Sequence, residues 1–179
     1  MFYRRHHPHW QKNGSALFIT WRLRGSLPAQ IFRDIRINDN AGKQFALLDR
    51  ELDKASYGPI WLKDARLAQT VVDSLRFGEE HLELYRLSAY VVMTNHVHVL
   101  IWPREVLGRI TKYIKNYTSR ECNKILGTTG QKFWQDESFD HAVRTEEEFY
   151  RIKRYIEINP VKAGLVTRPE DWPWSSASQ

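Results

Sequence analysis

His96 and His98 lie two residues apart in a run from Tyr90 to Trp102 that otherwise reads as buried β-structure. Side chains alternate faces along a strand, so the two imidazoles share a face with Leu100 and Trp102, while Val97, Val99 and Ile101 point the other way. Burying both rings without partners costs on the order of a few kcal/mol, so a polar, ionic or metallic neighbour is required. One strand histidine is ordinarily a satisfied core or edge residue; two on one apolar face read as half of a metal site. A second His-x-His, His7-Pro8-His9, is polar and terminal, and Pro8 cannot donate to a sheet ladder, so it reads as a nucleic-acid contact or chain end.

The helix expected next, from about Leu107 to Leu126, offers the other half. On a 100° wheel Leu107, Ile110, Ile114, Thr118 and Ile125 form one stripe turned to the sheet. Glu121 falls inside that stripe, and Tyr117, four residues earlier, lies on its flank, about 40° away on an ideal helix. A carboxylate in a core-facing position needs a partner, and the two histidines supply one. The resulting expectation is a constellation of His96, His98, Glu121 and Tyr117, three potential ligands and a phenol. Tyr113 lies further round the helix. Asp140 and His141 fall in the expected last strand, where they point to opposite faces and one could reach the site.

Positioning these groups requires strands at about 17–24, 85–93, 96–102 and 132–144, and helices at about 62–77, 107–126 and 146–158. The order β-α-β-β-α-β reads as an α+β, ferredoxin-like (RRM-like) sandwich, an antiparallel sheet with helices on one face. A polar helical insertion at about 28–61 follows the first strand, within a single domain spanning 1–179. Thr94-Asn95 suits a hairpin connection because Asn tolerates positive φ. Gly127 suits a helix C-cap and Thr145, before three glutamates, an N-cap. Asn159-Pro160 is expected to end the last helix. Trp172 and Trp174 are expected to pack the C-terminal segment onto the core rather than stack on bases.

The net charge is +6 with an isoelectric point near 9.5. Arg4, Arg5, Lys12, Arg22, Arg24 and Arg33 precede the first acid, Asp34, and are interleaved with His6, His7, His9, Trp10, Phe18 and Trp21. Arg109, Lys112, Lys115 and Arg120 add a second basic row. Basic surface with aromatic neighbours suits a phosphate backbone and unstacked bases. No apolar run reaches the roughly 18 residues of a membrane span and the N-terminus has no apolar signal core, so a cytoplasmic, nucleoid-associated protein is expected. The single cysteine, Cys122, excludes an internal disulfide framework and reads as a packing residue.

With these residues in view, the chain resembles the HUH single-tyrosine transposases and, within them, the REP-associated tyrosine transposases. The resemblance rests on His96-Val97-His98 and the following tyrosine helix. It extends to Phe133 through His141 (FWQDESFDH), Asn159 through Val166 (NPVKAGLV), and Trp172-Pro173-Trp174-Ser175-Ser176, with Tyr3-Arg4-Arg5 and His9-Trp10 as the opening. Thr94 stands where relatives often carry Pro. What the resemblance implies is a metal-dependent nuclease and strand transferase acting on single-stranded DNA with hairpins. Tyr117 would be the nucleophile, forming a 5′-phosphotyrosine and leaving a free 3′-hydroxyl. His96, His98 and Glu121 would hold the ion, Mg²⁺ or Mn²⁺ by family, although imidazole donors by themselves favour Mn²⁺ or Zn²⁺. Bond energy is retained in the covalent link, so no nucleotide cofactor is expected. Arg4, Arg5, His6, His7 and Trp10 would recognise DNA flanking the hairpin, in a monomer or homodimer. Two other readings stand beside it: a non-catalytic hairpin-binding protein of the same ancestry, and a two-histidine phosphoesterase, for which the chain offers only one good histidine pair.

Overall fold

The computed structural model describes residues 14–31 and 41–179. Its frame is an antiparallel sheet of β1 (Leu17–Arg22), β2 (Tyr85–Val92), β3 (His96–Pro103) and β4 (Phe139–Ala142), in the order β2-β3-β1-β4. That is the strand order of a ferredoxin-like sandwich. Helices α1 (Ala41–Asp53), α2 (Ala65–Glu80), α3 (Leu107–Leu126) and α4 (Glu146–Lys162) complete it. None of the described helices is long and apolar enough to cross a membrane.

Strand alternation divides the core in two. Ile19, Trp21, Val97, Val99 and Ile101 face α2 and α3, where they bury Val71, Leu75, Ile110 and Ile114. Phe18, Leu100, Val91 and Phe139 face the other way and pack with Ile156 of α4 and Phe45 of α1. The two crossover helices thus cover one face, as right-handed crossovers require, while the insertion helix and the C-terminal helix cover the histidine face. Asp64 and Thr145 cap α2 and α4, accepting from the backbone N–H of Arg66 and Glu148, and Gly127 closes α3 at φ +68°.

Three expectations change. The strand expected over 132–144 shortens to β4, with Trp134 joined to Leu23 only by an isolated bridge. The Thr94-Asn95 connection forms, Met93 N–H donating to the His96 carbonyl at 2.9 Å, but Asn95 does not take positive φ. The last helix runs through Asn159-Pro160 to Lys162. Pro160 forgoes one backbone bond in the final turn, and burial of Asn159 and Pro160 holds the turn against that loss until Gly164, at φ +69°, reverses the chain.

Gly78 shows how tightly the α2 layer is fitted. A Cβ there would lie 2.5 Å from the Tyr85 hydroxyl, which donates to the Leu75 carbonyl at 2.8 Å. Gly78→Ala is expected to lower stability by about 1–2 kcal/mol by overpacking, despite the helix propensity it gains. Gly108→Ala, with open space at its Cβ, should raise it by a few tenths, on the order of the propensity difference. Urea denaturation of the two variants checks the contrast.

Candidate metal and tyrosine centre

β3 presents His96 and His98 side by side, both fully buried, with their Nε2 atoms 3.1 Å apart. The Asn95 amide donates to the Leu52 carbonyl at 3.0 Å, which turns its oxygen to His96 Nδ1 at 2.7 Å. An amide oxygen only accepts, so Nδ1 carries the ring hydrogen and Nε2 is a bare lone pair. Burial first, then the neighbouring His98, pushes His96 down to about 3 against the pull of Asp49, so the ring is neutral. Thr20, directly across the β1–β3 ladder, sets its hydroxyl 2.6 Å from His98 Nδ1.

Helix α1 brings two carboxylates to these nitrogens. Asp49 Oδ1 lies 3.0 Å from His98 Nε2 and 3.7 Å from His96 Nε2, and Asp53 Oδ1 lies 3.7 Å from His96 Nε2. Neither Oδ1 has a conventional hydrogen-bond partner among the described residues. Burial works to raise the Asp49 carboxyl, but the adjacent His98 and His96 hold it below its ordinary value. Asp53 is pushed up to about 7 by burial and by the Asp49 charge. Asp49 and Asp53 stand one helical turn apart, so one face of α1 delivers both.

Helix α4 completes the centre. The Tyr155 hydroxyl donates to Asp49 Oδ2, and its ring lies 5.8 Å from that of His98. Lys162 Nζ sits 4.5 Å from the Tyr155 ring centroid. Asn159, one turn beyond Tyr155, is fully buried; its amide favours the ionised Asp49 although neither amide atom reaches hydrogen-bond geometry.

The donor set fits a divalent cation. Two donors each about 2.1 Å from one ion and roughly 90–110° apart are about 3.0–3.4 Å from one another, close to the spacings between His96, His98 and Asp49. Among the described residues these three form the one group of ligand atoms within 4.8 Å of one another. Two imidazoles and a carboxylate around a buried, proton-poor point are what a cation offsets.

Tyr117 and Glu121 lie elsewhere. The buried stripe of α3 is Leu107, Ile110, Ile114, Thr118 and Cys122, and it rests on the valine face of the sheet. Cys122 therefore takes the position expected for Glu121, and Ile125 is exposed. Glu121 accepts from Arg120 at 2.8 Å and Lys124 at 3.0 Å, which hold its carboxyl low. Tyr117, 38% exposed, stacks on Tyr113 and under the Arg120 guanidinium. Within one chain these two groups do not meet the histidines. The sequence periodicity located a stripe facing the sheet but could not say which face of β3 the stripe would meet.

The other expected residues are placed as follows. Arg109 pairs with Glu105 at 2.7 Å, Lys115 donates to the carbonyls of Gln135 and Asp136, and Lys112 is exposed, all on the α3 side of the sheet. Arg4, Arg5, His6, His7 and Trp10 lie outside the described residues. His141 Nε2 is 3.0 Å from Glu148 Oε1. Trp172 donates to the Val92 carbonyl and packs against Trp174, a structural use. The residues not anticipated are Asp49, Asp53, Tyr155 and Asn159. Their signal was present: Leu48-Asp49 and Leu52-Asp53 repeat at helical spacing, and Tyr155 and Asn159 repeat along the apolar side of α4.

Residues 68–159 match the protein family described as Transposase IS200 like. The chain belongs to this family. A REP-associated tyrosine transposase of Escherichia coli K12 is 29% identical over 96 residues, covering 51% of this chain and 54% of that protein. A Haemophilus influenzae protein named for the same class is 31% identical over 101 residues, covering 49% and 56%. The chain thus spans about half the length of the curated relatives it matches. A solved structure of a REP-associated tyrosine transposase bound to a REP hairpin superposes with a TM-score of 0.60 at 20% identity, over 98% of this chain and 82% of that one, so the two share a fold.

Two outcomes are expected. Mn²⁺ should raise the melting temperature with the logarithm of its concentration once that exceeds Kd, and Asn95→Ala, which frees the His96 tautomer, should weaken that binding about 10- to 100-fold; thermal denaturation against Mn²⁺ measures both. In chelator, the contribution of Asp53 to stability is full below its unfolded value near 4 and is lost as pH rises through about 7. Asp53→Asn should flatten that slope in urea denaturation between pH 4 and 8.

Proposed function

We propose that this chain is a metal-dependent endonuclease and strand transferase that nicks single-stranded DNA at hairpin (REP, palindromic) sequences through a 5′-phosphotyrosine, with Tyr155 as the nucleophile. The observation that carries the reading is the Tyr155 hydroxyl on one oxygen of Asp49 while the other oxygen faces the His96 and His98 nitrogens. Family membership supports the chemistry, and the hairpin-bound structural neighbour supports the partner.

In this reading His96, His98 and Asp49 would hold Mg²⁺ or Mn²⁺, with the buried Asn159 amide beside Asp49. Such an ion supplies Lewis-acid polarisation of a phosphoryl oxygen and neutralises charge developing on it. The rest is done by the chain. A phenol is a poor nucleophile at neutral pH, and Asp49 Oδ2 accepts the Tyr155 proton as the oxygen attacks phosphorus. The new bond joins the Tyr155 oxygen to phosphorus, the bond from phosphorus to the 3′ oxygen breaks, and that oxygen becomes the 3′-hydroxyl by taking a proton from solvent, to which Asp49 returns the one it accepted. Reversal of the same steps on another 3′-hydroxyl joins a new end. Lys162, against the Tyr155 ring, offsets phosphate charge.

A second reading, a hairpin-binding protein without nicking activity, is favoured by one observation: both imidazoles are completely buried, beneath α1 and α4. A hairpin-bearing single strand incubated with Mn²⁺ separates the possibilities. The proposal expects a covalent adduct on denaturing gels that Tyr155→Phe abolishes and Tyr117→Phe preserves. Loss with Tyr117→Phe instead would assign the nucleophile to α3, delivered from a second copy. Binding without adduct under either Mg²⁺ or Mn²⁺ would favour the binding protein.

A further inference from the structure

Two cavities meet at Tyr155, along the seam between α1 and α4. One, of about 450 Å³, is lined by Asp49, Asp53 and the cationic Arg50, Lys54 and Lys162. The other, of about 550 Å³, is lined by Phe18, Phe45, Phe139 and Ile152, with His141 and Arg151 among its polar groups. Ala46 and Tyr155 border both. The seam therefore has a cationic, acid-bearing end, a tyrosine in the middle and an aromatic end.

The aromatic end is built rather than incidental. Phe45 stacks on Phe139 at 4.4 Å and 27°, and Phe18 meets Phe45 edge-on at 5.3 Å. His141 is locked by Glu148 at 3.0 Å, whose second oxygen accepts the Arg144 backbone N–H at 2.7 Å. Arg151 stands 3.7 Å from the same carboxylate. The cavity thus pairs an aromatic wall with fixed donors and acceptors, the combination that holds an unstacked base by its face and reads it by its edge. Its volume lies within the range of small-ligand pockets. Because Tyr155 borders both cavities, a phosphate at its oxygen would have one neighbouring nucleotide on the side of this wall and the other on the side of Lys162 and Arg50.

We infer that the cavity walled by Phe45 and Phe139 receives one unstacked nucleobase of the nucleotide adjoining the scissile phosphate, making α1 part of the DNA-binding surface. The inference rests on the reading of Tyr155 as the nucleophile, and it gives the insertion helix a function beyond presenting its carboxylates.

The test uses the full chain and a pool of short random-sequence single strands carrying 5-iodouracil, irradiated in the absence of divalent ions, with cross-links mapped by peptide mass spectrometry. Cross-links are expected on peptides carrying Phe45, Phe139 or His141, competed far more strongly by unmodified strands than by strands of abasic sites. Phe45→Ala should weaken binding of base-bearing strands about tenfold with no change for abasic strands, and Phe45→Tyr should bind as the parent does. Cross-links confined to other surfaces, or equal competition by abasic strands, would overturn the inference even if Phe45→Ala fails to fold. Tyr155→Phe should keep the cross-links. If they persist while the adduct maps to another tyrosine, the cavity binds a base but its place beside the scissile phosphate fails together with the nucleophile assignment.

Discussion

The structure turns on a pair of fully buried imidazole nitrogens 3.1 Å apart. His96 offers only a lone pair at that point, because Asn95 has claimed its ring hydrogen and burial keeps the ring neutral. Such a point is tolerable only if something electropositive lies beside it. The surrounding groups sharpen that requirement: Asp49 faces the nitrogens, Asp53 crowds Asp49 until one of them favours a proton, and Tyr155 gives its hydrogen to the second Asp49 oxygen. Electrostatics at one spot thus links β3, the insertion helix and the C-terminal helix.

Asn95 carries much of the positioning. Its amide spans from the backbone of α1 at Leu52 to the ring of His96, so the fold of the insertion and the tautomer of a ligand are set by the same side chain. Its place in the β2–β3 connection suggested turn chemistry; its backbone is ordinary, and its contribution lies in the side chain. Thr20 has the corresponding position beside His98, placed there by the register of β1 against β3.

The sheet and its order were legible in the sequence because strand alternation and helical periodicity are local signals, and α3 ran over the range its apolar stripe marked. The histidine pair was legible for the same reason. Which helix would meet it was not. A period of two places the valines and histidines on opposite faces but does not say which face the crossovers cover, and on an ideal wheel Glu121 and the packing residue Cys122 both lie close enough to the stripe for either to face the sheet. Tyr155 and Asn159 were obscured by Pro160, which reads as a helix stop and here sits inside the final turn. Asp49 and Asp53 were obscured because charged residues in a polar insertion look like solvated surface; tertiary packing against β3 gives them their meaning.

Burial of the whole centre under α1 and α4 makes the metal-ligand geometry the most direct test of the account. Anomalous diffraction from crystals grown with Mn²⁺ should show a single strong peak bonded to the Nε2 atoms of His96 and His98 and to Asp49, with Tyr155 as the nearest phenol. A peak bonded to Glu121 with Tyr117 beside it, or an absence of scattering between the two imidazoles at saturating Mn²⁺, would contradict it.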